Sequence, residues 1–176
     1  MLTEYLTPVN ITLLFLILTT MFTDLKYQKI YNHFTFPCMI LGLGFNFFNN
    51  GFVEGFLKTS LLGLITGGSL LLIFYLAGGM GAGDIKFLAA VGALKGPHFV
   101  FNATLHGAII GGLFTIIYLL VKGQLLEIVL STFKIIRQTL TFKKLNIQLS
   151  EVEKSYLPYG FFLSLGVITW FLNIKL

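Results

Sequence analysis

Long apolar runs separated by short polar stretches set the organisation of this chain. The runs cover residues 6–23, 34–48, 60–77, 85–94, 99–121 and 157–172. Each is too long and too evenly apolar for a strand, so the pattern predicts an all-α polytopic membrane protein. Four runs are comfortable spans, the second is somewhat short, and the fourth is shorter still. Residues 83–96 make only ~21 Å of helix against ~30 Å of hydrocarbon.

Charge placement decides whether that short segment crosses, because cytoplasmic loops carry the excess of Lys and Arg. With six crossings and an external N-terminus, the inside holds Lys26, Lys29, Lys86, Lys122, Lys134, Arg137, Lys143, Lys144 and Lys154, and the outside Lys58, Lys95 and Lys175. That is nine of the twelve basic residues inside. If the fourth segment does not cross, the split becomes five against seven, so six crossings are expected. Packing against neighbours accommodates a short span, and Gly96-Pro97 provides a turn after it.

The loop at residues 122–156 is the one extended polar stretch. Leu125, Val129, Phe133, Ile136 and Leu140 recur every three or four residues, opposite Glu127, Ser131, Lys134, Gln138 and Thr141. This pattern predicts an amphipathic helix on the inner membrane face, its lysines toward anionic lipid. Gly63 and Gly67, and again Gly107 and Gly111, stand four apart. They fit close helix contacts through small residues, or the glycine content ordinary in lipid-facing helices.

Composition narrows the class further. Charged residues are 11% of the chain, where a soluble domain has about a quarter. The net charge of +5 is spread along loops beside apolar runs, which fits a bilayer and excludes a nucleic-acid face. With no linker, residues 1–176 are expected to form a single transmembrane domain. The N-terminal stretch lacks a basic region and carries Glu4, so residues 6–23 read as a retained span and not a cleaved signal. Cys38 is the sole cysteine, which excludes an internal disulfide and a paired-cysteine zinc site and leaves it as a small core residue.

Against this background the chain's two aspartates stand out. Asp24 ends the first apolar run and Asp84 precedes the fourth. Two crossings separate them in either topology, so both face one side, the cytoplasmic one. Ionisable residues at the membrane mark function by default. Two carboxylates sharing a water can hydrolyse a peptide bond: the ionised acid takes a proton from the attacking water, while the protonated one polarises the carbonyl and later serves the leaving amine. Such neighbours cannot both ionise and titrate as a unit. Gly81 and Gly83 remove side chains beside Asp84, permit positive φ and leave room for a substrate strand against the backbone. Alternatively, the glycines form a flexible turn before a helix that Asp84 caps.

Gly81-Ala82-Gly83-Asp84-Ile85-Lys86, with the Phe87-Leu88-Ala89-Ala90-Val91-Gly92-Ala93 that follows, resembles the GxGD segment of the type IV prepilin peptidases and archaeal preflagellin peptidases. Asp24 followed by Ile30-Tyr31-Asn32 is similar to that family's first-aspartate segment, with Tyr31 where the family has proline. Leu157-Pro158-Tyr159-Gly160 also resembles a family motif, so the likeness extends from the first span to the last. It implies an integral-membrane aspartic endopeptidase that removes the basic leader from prepilin-like or preflagellin-like substrates. It also implies Asp24 and Asp84 as catalytic pair, and Gly81 and Gly83 as the motif glycines beside the substrate. The cytosolic Cys-pair and N-methylation region of the long bacterial enzymes is missing, so methyltransferase activity is not expected.

The other polar residues fit blander roles. Lys86 points away from Asp84 on a helix and suits snorkelling to the interface. His33, His98 and His106 lack metal-ligand spacing, Glu151 and Glu153 read as loop acids, and Ser60, Ser69 and Ser164 carry no serine-protease pattern. No metal or cofactor signature is present. Two rival readings use the same acids. A presenilin-like GxGD peptidase would bring Tyr-Asp in the partner helix, where this chain has Thr23-Asp24. A small ion- or proton-coupled transporter, or a non-catalytic membrane subunit, would carry its acids deep within spans instead of at their ends.

Overall fold

A computed structural model describes residues 7–76, 79–123 and 158–173, and every described element is helical. The chain divides into two compact units, Met1–Gly111 with Pro158–Leu176, and Gly112–Leu157. The first unit contains the helices discussed below. The second includes the end of one long helix, and the expected amphipathic helix within residues 122–156 falls outside the described residues apart from its first two positions.

Helix α1 spans Pro8–Tyr27, α2 Asn32–Asn50, α3 Leu62–Leu70, α4 Leu72–Leu76, α5 Ala82–Lys95, α6 Pro97–Val121 and α7 Tyr159–Asn173. Thr7 caps α1 by accepting the Asn10 N–H, with Pro8 in the first turn where its missing donor costs nothing. A π-type helical segment, Gly51–Leu61, joins α2 to α3. The third apolar run is therefore not one helix: it starts in this segment and breaks at Leu71 between α3 and α4. Two helices, Pro8–Tyr27 and Pro97–Val121, are long and apolar enough to cross a membrane, and Tyr159–Leu172 is a shorter apolar helix.

The surface is inside out compared with a soluble bundle. Helix α1 buries Asn10, Leu13, Leu16, Ile17, Thr20, Thr23 and Asp24, while Ile11, Leu14, Phe15, Leu18, Phe22 and Leu25 are exposed. Its polar Asn10, Thr20, Thr23 and Asp24 face protein beside three apolar residues, while its remaining large apolar side chains face out, the arrangement a lipid solvent favours. Helix α5 is the opposite case, because every residue from Phe87 to Leu94 is buried. A helix apolar all round belongs in a core, so this short helix is matched to its protein neighbours and not to the thickness of a bilayer.

Glycines let those neighbours close on α5. A Cβ on Gly63 would strike the Gly92 carbonyl, and one on Gly67 would strike that of Leu88. On the other side of the unit, Gly107 and Gly111 of α6 face Phe162 and Leu163 of α7, and Gly166 faces Ala103 and Gly107. Both glycine pairs thus serve close helix contacts. Cys38 is buried in the core, as expected of a small apolar residue.

Contacts at the two ends fix helix directions. At one end Lys95 Nζ donates to Asn10 Oδ1 at 2.8 Å and lies 5.1 Å from the centroid of the Phe171 ring. At the other end Gly83 packs on Ile30, and the Phe161 N–H reaches Asp24. Helix α1 therefore runs antiparallel to α5 and α7, with Asp24, the start of α5 and the start of α7 together.

Candidate active site

The first residue of the site comes from the last turn of α1. Asp24 is 7% exposed, and the helix ends just beyond it at Gln28, whose φ of 52° is left-handed and whose N–H returns to the Asp24 carbonyl at 2.9 Å. The connection to α2 then passes Lys29, Ile30 and Tyr31. Tyr31 sits at φ −83° and ψ 135°, close to what proline would impose, so the turn keeps its extended shape without the family's proline.

Asp84 comes from the first turn of α5, three residues after Gly81, and is also 7% exposed. It does not cap the helix. Gly81 occupies that position at φ −82°, and the Asp84 carboxylate reaches back to accept the Gly81 N–H at 3.3 Å. This is half of a capping box, since glycine has no side chain to return the bond.

Asp24 and Asp84 line one cavity of about 330 Å3, together with Gln28, Lys29, Tyr31 and Gly81. The topology thus brings the two sequence-predicted acids to one place. Asp84 precedes the apolar part of α5, and its carboxyl is pushed up to about 6, first by burial and then by the charge of Asp24. Asp24 is raised as well, first by its own burial, with the Phe161 N–H at 2.9 Å and the neighbouring Gly160 amide acting in the opposite direction.

The motif glycines do not adopt the conformations expected of them. Gly81 has negative φ, and neither it nor Gly83 is among the positive-φ glycines. Gly83 lines the cavity, but a Cβ there would fall 2.9 Å from Ile30 Cβ, so its missing side chain admits Ile30. At Gly81 a Cβ would meet Asp84 Oδ2 at 3.6 Å, ordinary contact on an open side.

Lys86 bonds to Asn32, a residue of the cavity lining. Its Nζ donates to Asn32 Oδ1 at 2.9 Å and lies over the Phe36 ring, tying the starts of α5 and α2. His98 and His106 surround Trp170, near the opposite end. Ser60 is buried in a hydrogen-bond network described below, and Ser164 is buried in α7. Sequence reasoning missed three parts of the site: Ile30 as the plug against Gly83, Gln28 as the left-handed cap, and the Gly160 and Phe161 amides. The last had a readable signal, since Pro158-Tyr159-Gly160 is a proline-led helix start and such starts carry free N–H groups.

A pair of acids at the end of a helical bundle, open to a cavity and set among apolar outer faces, is suited to hydrolysis beside a membrane. The chain belongs to the type IV leader peptidase family, whose model matches residues 11–116, a stretch that includes both aspartates. It is thus a peptidase of the membrane. Comparison with curated proteins and with solved structures gives no match.

Proposed function

We propose that this protein is an integral-membrane aspartic endopeptidase that cuts the basic leader from type IV prepilin-like substrates at the cytoplasmic membrane face, with Asp24 and Asp84 as its catalytic pair. The observation that carries this is the meeting of the chain's two aspartates, from antiparallel helices, in one cavity where the charge of one is felt by the other. Residues 11–116 supply the family, and the nine-to-three placement of basic residues supplies the side. Six crossings follow from the same placement.

One carboxylate, ionised, accepts a proton from a water molecule as its oxygen attacks the scissile carbonyl carbon. The other, protonated, donates to the carbonyl oxygen, giving a neutral tetrahedral diol. Return of a proton to the amide nitrogen breaks the C–N bond and leaves a carboxyl and an amine. A cavity of about 330 Å3 has room for a short extended peptide segment with its water. The substrate's apolar helix would lie in the bilayer along the outward apolar faces, while its leader enters from the polar side. Gly81, open beside Asp84, is where the substrate backbone would approach. Gly83 shapes that wall through Ile30.

Replacing either aspartate tests this. In membranes containing a type IV prepilin, Asp24→Asn and Asp84→Asn should each abolish leader removal while the protein still accumulates. Full cleavage by Asp24→Asn would overturn the assignment.

A further inference from the structure

We infer that the start of α7 is a positioning device for Asp24: the Phe161 amide, with Gly160 beside it, binds that carboxylate as an acceptor and aims it into the cavity, so Asp24 receives the water proton and Asp84 acts as the acid. This rests on the reading of the two aspartates as the catalytic pair, and it adds a division of roles that the pair alone leaves open.

The donors of the two acids differ in kind. Asp24 Oδ2 accepts the Phe161 N–H of a different helix at 2.9 Å, a well-formed bond, with the Gly160 amide beside it. Both donors come from the first turn of a 15-residue helix. The first four N–H groups of a helix have no partner within it, and the dipole places partial positive charge there. Anion capture at that point costs the helix nothing. Asp84 has one N–H, from Gly81 of its own turn, at 3.3 Å. It therefore keeps the shared proton.

Glycine at position 160 makes the approach possible. A Cβ there would lie 3.1 Å from Asp24 Oδ2 and 2.8 Å from Ile30 Cδ1. The same Ile30 fills the space left by Gly83, so one side chain packs against both helix starts around the cavity. Among the described residues, the titratable groups that line the cavity with Asp24 are Asp84 from α5 and Lys29 and Tyr31 from the connection after α1.

In the reaction, a water O–H bond breaks as its proton passes to Asp24 and its oxygen bonds to the scissile carbon. The Asp84 proton moves to the carbonyl oxygen. On collapse it is Asp24, now holding the water proton, that protonates the leaving nitrogen, not the initially protonated acid expected from the sequence, and a diol proton returns to Asp84. Both acids end as they began, and one water is consumed per bond cut.

The backbone donor can be removed by a side-chain substitution. Phe161→Pro deletes the N–H in the first helical turn, where proline is tolerated, while Phe161→Ala removes the ring and keeps the N–H. The full chain is reconstituted in lipid vesicles with a type IV prepilin, and each variant's cleavage is measured against pH. Relative to Phe161→Ala, Phe161→Pro should lose about tenfold or more in kcat with KM little changed. The acid limb of its rate profile should also move to higher pH, because the base now takes up a proton sooner. Equal kcat and equal profiles for the two variants would overturn the proposal. If Phe161→Pro does not fold, Gly160→Ala carries the test. It should show the same loss and the same displaced limb, partly recovered when Ile30→Val removes the Cδ1 that the new methyl meets. An active Gly160→Ala with an undisplaced profile would overturn it equally. Wild-type cleavage by Asp24→Asn would instead sink the underlying pair assignment.

Discussion

Polar side chains are buried at both ends of the first unit, but with opposite outcomes. At the end away from the aspartates, Asn46 Nδ2 donates to Ser60 Oγ at 2.8 Å and lies 3.1 and 3.2 Å from the Ala93 and Leu94 carbonyls. Ser60 in turn donates to the Gly42 carbonyl at 3.0 Å. There the side chain satisfies the last carbonyls of α5, which would otherwise be orphaned in an apolar core. At the other end two acids of the same burial are left beside a cavity, one of them with a single long N–H bond. One end spends its polar groups on closing the fold. The other keeps spare hydrogen-bonding capacity, which is what a hydrolytic site needs.

The largest expected effect separates glycines at the two ends. Gly63→Val drives a side chain into the Gly92 backbone, which cannot move without parting α3 from α5. The loss is expected to be about 3 kcal/mol or more, seen as failure to accumulate or a collapsed melting temperature in detergent. Gly160→Ala instead meets side-chain ends, Asp24 Oδ2 and Ile30 Cδ1, and should lower activity more than stability. Equal destabilisation by both would break the contrast.

Smaller effects concern the polar groups themselves. Asn46→Ala leaves Ser60 and two carbonyls without their donor, and should destabilise by about 1–3 kcal/mol while prepilin cleavage per folded molecule persists. Asp84→Asn should do the reverse. The Asp84 carboxyl is raised to about 6 in the folded protein from its usual 3.8, so between those values the folded state binds more protons than the unfolded one. Stability from this group is full below pH 3.8 and falls as pH rises to about 6. Asparagine removes that dependence, so the variant should melt higher than the native protein above pH 6, by on the order of 3 kcal/mol, while being inactive. A lower melting temperature for Asp84→Asn at pH 7 would show that this end, too, is built for stability.

Much of this was legible from residue positions alone. The shared side of Asp24 and Asp84 followed from counting crossings, while the spacing of the glycine pairs allowed close helix contacts or lipid-facing glycines alike, and packing decides for the contacts. Three features were not. Gly83 looked like room for substrate, yet its space belongs to Ile30, a residue more than fifty positions away that only tertiary packing brings near. The π-type turn at Gly51–Leu61 and the break at Leu71 leave no mark in apolar composition. The donors to Asp24 are backbone amides, which carry no side-chain signature in a sequence.

The central claim, that the two carboxylates act as one unit, is tested most directly by a double-mutant cycle on leader cleavage in defined lipid. Asp24→Asn, Asp84→Asn and the double variant are compared with the native protein. Each single change should cost about a thousandfold or more, and the double variant should lose no more than either single one. Losses that multiply, or native cleavage in either single variant, would contradict a shared catalytic pair.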